Sequence, residues 1–200
     1  PTISSMDKLL ALVKGCLLPS PMLCYREGFY ADRVATVLFS SDNTGASKGS
    51  MLTHHNIMSN IEALRMVLRV DLNDNVCSAL PFSHSLGFTA TLWLPLTSGF
   101  SAIYHPNPMD GEKIAQVVRE YRSTILLATP TCLLACLRHA SKEDFATLRL
   151  VMTSAGKLKS KLADSFQEKF GVRPLEGCGA MGLSPVITLS LPDVDMGYSL

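Results

Sequence analysis

Short β-branched or aliphatic runs alternate along this chain with longer stretches whose apolar residues recur every three or four positions. Residues 34–40 (Val-Ala-Thr-Val-Leu-Phe-Ser) form a continuous apolar run, the pattern of a strand covered on both faces. A glycine- and serine-rich loop is expected over 41–50. Thr53 or His54 then opens a helix with Ile57, Ile61, Leu64 and Leu68 on one face. Further strands are predicted at 76–80, 101–104, 124–128, 148–153, 172–176 and 186–191. Helices are predicted between them: 109–121 with Ile114, Val117 and Val118 inward, Pro130 to Arg138, and 159–170 ended by Gly171. Strands separated by helices of this length imply parallel βαβ units. The expected architecture is α/β: a layered, mostly parallel sheet flanked by helices over residues 32–200, with 1–31 as a peripheral lead-in.

One stretch tests that picture. No Asp, Glu, Lys or Arg occurs between Asp74 and Asp110, and residues 86–104 are apolar enough to raise a membrane-spanning segment. Pro81, Gly87, Pro95 and Gly99 break the run, and Thr89, Thr91, Thr97, Ser98 and Ser101 interrupt it. A strand, helix and strand buried in an α/β core accounts for it better.

Composition narrows the function classes. Hydrophobic residues make up 47% and charged residues 18% of the 200 positions, and mean hydropathy is +0.22, so the chain has the means to form a core and is not intrinsically disordered. Eighteen basic and seventeen acidic residues give +1, which provides no basic field for nucleic acid or anionic lipid. The six cysteines form no CxxC pair and no metal-ligand spacing, and read as reduced buried thiols; Cys132 and Cys136 are expected to share a helix face.

The richest chemistry lies just after the first strand, in Phe39-Ser40-Ser41-Asp42-Asn43-Thr44-Gly45-Ala46-Ser47-Lys48-Gly49. Small residues let backbone N–H groups converge, hydroxyls add donors, and a lysine supplies charge, which together suit a polyphosphate. The spacing is not that of a P-loop.

This segment resembles the phosphate-binding signature of the adenylate-forming (AMP-binding) superfamily, and it is followed by Met51-Leu52-Thr53-His54. Three more stretches resemble family segments in the family's order. They are Leu80-Pro81-Phe82-Ser83-His84-Ser85-Leu86-Gly87-Phe88, Ser154-Ala155-Gly156-Lys157-Leu158, and Pro174-Leu175-Glu176-Gly177-Cys178-Gly179-Ala180-Met181-Gly182-Leu183-Ser184-Pro185-Val186. Leu92-Trp93-Leu94-Pro95-Leu96, Tyr104-His105-Pro106-Asn107-Pro108 and Leu127-Ala128-Thr129-Pro130-Thr131 are similar to long-chain acyl-CoA synthetases and to the acyl-ACP synthetase module of 2-acylglycerophosphoethanolamine acyltransferases.

The resemblance implies an ATP-dependent fatty acyl-ACP or acyl-CoA synthetase that forms an acyl-adenylate and then an acyl thioester. It implies ATP and Mg²⁺, a fatty acid, and acyl carrier protein or coenzyme A, with a link to lysophospholipid metabolism. By the same resemblance Ser40, Ser41, Asn43, Thr44, Gly45, Lys48 and Gly49 would hold phosphates, Thr44, Lys48 and His84 standing nearest the chemistry. His84 would border the acyl entrance. Ala155, Gly156, Lys157, Glu176, Gly177, Cys178 and Gly179 would frame the adenine. The alternative for His84 is an imidazole satisfied within the core.

Several positions depart from the family pattern. Asp42 stands where the loop has its first Gly, and Asn43 and Ser47 where it has Ser/Thr and Pro. Gly156 stands for a Glu, Cys178 for the Tyr that stacks on adenine, and Met181 and Gly182 for Thr-Glu, whose Glu is the family's Mg²⁺ ligand. An aspartate beside a triphosphate repels it, and neither Met nor Gly carries an oxygen for a hard cation. No metal-ligating residue is therefore assigned. These departures define an alternative, a relative with a decayed nucleotide site that acts as an acyl- or protein-binding module.

His105 and Asp110 carry the His-x4-Asp spacing of glycerolipid acyltransferases, a second alternative, but Asp110 also sits where a helix cap is expected. Family proteins are much longer than 200 residues. The chain is expected to be part of the large N-terminal domain, without the C-terminal domain, inactive by itself, with apolar faces exposed. No secretory leader is read at Pro1, and the expected location is the cytoplasm, or the cytoplasmic face of a membrane through other domains.

Overall fold

The computed structural model describes residues 4–17, 30–40, 48–179 and 186–189. The chain divides into two units, Pro1–Arg33 and Val34–Leu200.

The first unit contains helix α1 (Ser5–Leu17). Ser4 starts it: its Oγ accepts from the Asp7 N–H (3.2 Å), while Asp7 Oδ2 accepts from the Ser4 N–H (3.0 Å). This reciprocal cap satisfies donors that a first helical turn leaves open. No residue of α1 is buried.

The second unit holds two sheets. β1 (Val34–Ser40) and β2 (Lys48–Thr53) pair antiparallel, with Val37 opposite Met51 and Ser40 opposite Lys48. The larger sheet has the order β4-β3-β5-β6-β7-β8, with β3 (Asn75–Ser78), β4 (Ser101–Tyr104), β5 (Ile125–Ala128), β6 (Leu150–Thr153), β7 (Pro174–Gly179) and β8 (Val186–Leu189). Every pairing in it is parallel except β7 with β8. The expected α/β, mostly parallel architecture is thus present.

Successive strand residues face opposite sides of a sheet, and this divides the core in two. From β5, Leu126 and Ala128 enter one cluster, and Ile125 and Leu127 the other. The first is closed by α4 (Gly111–Glu120), α5 (Pro130–His139) and α6 (Ser160–Phe170), through Ile114, Val118, Leu133, Cys136 and Phe166. The second is closed by α2 (His54–Leu68), the wide π-type turns Gly87–Trp93, the short α3 (Leu94–Ser98) and the inner face of the hairpin. Helix α2 begins at Thr53, whose Oγ1 accepts from the Asn56 N–H (3.1 Å), and buries Ile57, Ile61, Leu64 and Leu68, as their spacing predicts.

The uncharged stretch is a core component. It supplies β3, the π-type turns, α3 and β4, and among the described residues no helix is long and apolar enough to cross a membrane. Gly87 is required there: a Cβ would fall 2.2 Å from the Pro81 carbonyl oxygen.

Two expectations are corrected. Residues 34–40 form a strand, but it is not covered on both faces: Leu38 is buried while Val37 and Phe39 are exposed. Among the described residues its strand partner is β2, and the hairpin is a two-stranded ribbon with one side toward the core. The loop expected to reach Ser50 gives way to β2 at Lys48. Gly49 permits this pairing to carry an aromatic, since its open Cβ position lies 3.1 Å from Phe39 Cε1.

Candidate functional site

In a parallel sheet all strands present their carboxyl ends at one edge, and ligands settle where the strand order reverses. Here the reversal is at β3, which pairs with β4 on one side and β5 on the other. The described candidates cluster by topology at this edge. His84 follows β3, residues 155–157 follow β6, and 176–179 lie in β7 toward its carboxyl end.

His84 is half-buried and held by its surroundings. Its N–H donates to the Pro81 carbonyl (3.0 Å) and its own carbonyl accepts from the Phe88 N–H (2.9 Å). The ring Nδ1 accepts from the Leu86 N–H (3.2 Å), which assigns the neutral ring's proton to Nε2. Burial lowers the His84 pKa below the ordinary imidazole value, so the ring is uncharged at neutral pH and Nε2–H is its donor.

Beyond β6 the chain turns through Ala155 at φ 63°, a left-handed conformation unusual for a residue with a side chain. Ala155, Gly156 and Lys157 are exposed. Two contacts fix this turn. Glu176 Oε1 in β7 accepts from the Leu158 N–H (2.9 Å), and Gly156 packs near the ring of Pro130, which a Cβ would approach to 3.6 Å. Glu176 therefore ties the residue 155–158 turn to the neighbouring strand. Gly177 is buried, while Cys178 and Gly179 are exposed at the strand's end, where a bulge interrupts pairing with β8.

The hairpin ends bring Ser40 and Lys48 opposite each other across the backbone ladder, with Gly49 opposite Phe39. Lys48, expected in the loop, is the first residue of β2. Ser41, Asn43, Thr44 and Gly45, with the departing residue Asp42, lie outside the described residues, as do Met181 and Gly182.

Sequence reasoning missed the roles of Glu176 as a tether and of Thr129. Thr129 Oγ1 lies 2.9 Å from Thr131 Oγ1 and accepts from the Cys132 N–H (3.2 Å), so it caps α5 at the same sheet edge. The signal was legible, since a threonine before Pro130 is an N-cap pattern.

Other candidates resolve structurally. Cys77, Cys132 and Cys136 are buried free thiols in one cluster. Burial pushes the Cys77 thiol up to about 12, and hydrogen bonding with Cys132 together with burial raises that of Cys136, so both stay protonated and unreactive. Asp110 Oδ1 accepts from the Lys113 N–H (3.0 Å) and caps α4, while its Oδ2 lies 3.8 Å from His105 Nε2. Among the described residues no group of three or more His, Cys, Asp or Glu is arranged to hold a metal, and the Glu176 carboxylate is engaged by the Leu158 N–H.

The AMP-binding enzyme family profile matches residues 21–197. The chain belongs to that family. It is 27% identical over 157 residues to a long-chain-fatty-acid–CoA ligase of Bacillus subtilis, covering 76% of this chain and 28% of that protein. It is 30% identical over 157 residues to the probable 4-coumarate–CoA ligase 1 of Dictyostelium discoideum, again 76% of this chain and 28% of that protein. Among solved structures, apo MatB from Rhodopseudomonas palustris superposes with a TM-score of 0.76 at 30% identity, over 84% of this chain and 33% of that one. The chain therefore spans less than a third of the length of these curated relatives.

Proposed function

We propose that this chain supplies the nucleotide- and acyl-facing part of an ATP-dependent acid–thiol ligase. In the reaction a fatty-acid carboxylate oxygen attacks the α-phosphorus of ATP, and the bond to the bridging oxygen breaks. Pyrophosphate departs with the electron pair. A thiolate, of coenzyme A or acyl carrier protein, then attacks the acyl carbon and AMP leaves. Positioning and charge neutralisation carry most of the catalysis in such transfers.

The observation that carries this reading is the placement of His84, just after β3 at the sheet's reversal point, and of the residue 155–158 turn and β7 at the same carboxyl edge. The neutral His84 would donate from Nε2 toward the carboxylate without pairing with it as an ion. The Glu176–Leu158 tether would hold the turn on which the nucleotide base rests. Ser40 and Lys48 would bound the phosphate-holding segment, to which Ser41, Asn43, Thr44 and Gly45 belong. A divalent cation, when bound, would neutralise phosphate charge, and none of the described residues is assigned to it. An ATP-bound form of the MatB protein of Rhodopseudomonas palustris supports ATP as the nucleotide. Acyl carrier protein as acceptor, a link to lysophospholipid metabolism and a cytoplasmic location remain parts of this proposal.

A second reading, a decayed nucleotide site, draws on Cys178. Its side chain is exposed at the end of β7, where it offers no aromatic platform for a base. Carboxylate-dependent ATP–pyrophosphate exchange by the full-length protein separates the two. Exchange with a fatty acid, lost in a Lys48→Ala variant, supports the ligase. Absence of exchange, with recovery on Gly182→Glu plus Asp42→Gly, supports decay. Acyl transfer to a lysophospholipid that is retained in His105→Ala removes a catalytic role for the His105–Asp110 pair.

A further inference from the structure

We infer that α1 is an interfacial helix that docks on an anionic lipid surface. The inference does not rest on the ligase reading. α1 lies wholly before residue 21, where the match to the family begins. None of its residues is buried, and Met6, Leu9, Leu10, Leu12, Val13 and Leu17 are all exposed. A single helical turn can carry such residues by chance. Thirteen residues with every large apolar side chain on one side cannot be dismissed that way.

At 100° per residue, Leu12, Cys16, Leu9, Val13, Met6, Leu17 and Leu10 follow one another around the helix in an arc about 160° wide, interrupted only by Ser5 in the first turn. The helix is about 20 Å long, so the arc is a continuous apolar strip. The two lysines stand just outside the arc, Lys8 beyond the Leu12 edge and Lys14 beyond the Leu10 edge, and Gly15, Ala11 and Asp7 occupy the opposite side. Asp7 is held in the Ser4 cap. Hydrogen bonds from Ser4 keep its carboxyl below the usual carboxylate value, and it places its charge at the helix start, away from Lys14.

This arrangement selects one kind of partner. A protein groove that swallowed the apolar strip would meet a lysine at each rim. At a bilayer surface the strip enters the acyl boundary while both lysines extend their aliphatic stems along it and set their ammonium groups among the phosphates. Charges on both margins also level the helix in the plane of the surface. The reciprocal Ser4–Asp7 cap starts the helix without help from a partner, so binding would not have to nucleate it first.

The test is flotation of the full chain with phosphatidylglycerol vesicles and with phosphatidylcholine vesicles. Binding to the phosphatidylglycerol vesicles, weakened by added salt, is expected. The double variant Leu9→Glu/Val13→Glu should abolish it with an unchanged thermal transition, since neither residue is in the core. Lys8→Gln/Lys14→Gln keeps the apolar strip and should weaken binding about thirty-fold, from about a five-fold effect per lysine near an anionic surface. Three results would overturn the inference: no flotation with either vesicle, equal flotation of wild type and the Glu variants, or a lipid-free dimer that dissociates in the Glu variants. The last would make a second copy of this chain the occupant of the strip.

Discussion

The strands β5 and β1 are similar on paper and opposite in the molecule. Ile125–Ala128 and Val34–Ser40 are both unbroken runs of apolar and small residues. β5 has a strand on each side and helices over each face, and all four of its residues are buried. Among the described residues β1 has one strand partner and one covered face: Leu38 is 7% exposed while its neighbour Phe39 is 65% exposed. The same applies across the hairpin, where Leu52 is 2% exposed and Met51 is 69% exposed. An apolar run thus reports that a strand forms. How many faces it buries depends on neighbours distant in sequence.

The sharpest way to test this contrast is by deletion on each strand. Leu126→Ala should destabilise the chain by about 2–5 kcal/mol through lost transfer energy and a cavity. Val37→Ala on the outer hairpin face should cost less than about 0.5 kcal/mol. Urea unfolding of both variants measures the difference, and equal losses would erase the distinction. Gly87→Ala probes the close approach between the π-type turns and Pro81. With a Cβ 2.2 Å from a backbone oxygen, a loss of about 3 kcal/mol is expected in the same assay.

The two edges of the sheet sharpen the comparison further. At the amino edge, Asp74 is buried and accepts from Arg149 Nη2 (2.6 Å) and Nε (2.9 Å) and from Thr124 Oγ1 (2.6 Å). Arg149 also donates to the carbonyls of Leu68 and Arg69, so this network staples α2, β3 and β6 together. Burial pushes the Asp74 carboxyl up, but the hydrogen bonds from Arg149 and Thr124 outweigh it and hold the pKa below the ordinary carboxylate value. A depressed folded-state pKa adds stability that is complete above the unfolded-state value of about 3.9 and is lost as pH falls below it. Asp74→Asn should therefore cost about 2 kcal/mol at neutral pH, and the difference from wild type should shrink in unfolding titrations carried below pH ~4.

At the carboxyl edge Ala155 has a positive φ, as Arg69 and Arg122 do at the amino edge. Ala155→Gly relieves the positive φ at the cost of chain entropy, for a net gain of about 0.5 kcal/mol in thermal or urea unfolding. A loss on this substitution would mean that the turn is not held in the left-handed region in solution. The stapled edge stabilises the sheet. The other leaves its backbone and side chains open to a ligand.

Much of the fold was legible because it rests on local periodicity. The α2 face of Ile57, Ile61, Leu64 and Leu68, the strand at Ser101–Tyr104, the Asp110 cap and the Gly171 stop follow from spacing and capping chemistry within a few residues. β2 was not legible, because Lys48-Gly49-Ser50 looks like loop, and pairing with Phe39 and Ser40 makes it strand. Of the candidate site, the sequence marks His84 and the 154–158 and 174–179 segments. It does not say that Glu176 binds Leu158, or that Nδ1 of His84 is occupied by the Leu86 N–H.

By itself the sequence determined the alternation of strands and helices, the family, and the residue types offered at the site. Those properties are written in short-range spacing and in motifs read in order. The tertiary structure alone decided which apolar faces are covered, which strand order puts the reversal at β3, and which hydrogen-bond partner each site residue keeps. These depend on contacts between residues tens of positions apart, such as Asp74 with Arg149 and Glu176 with Leu158, and no local pattern specifies them.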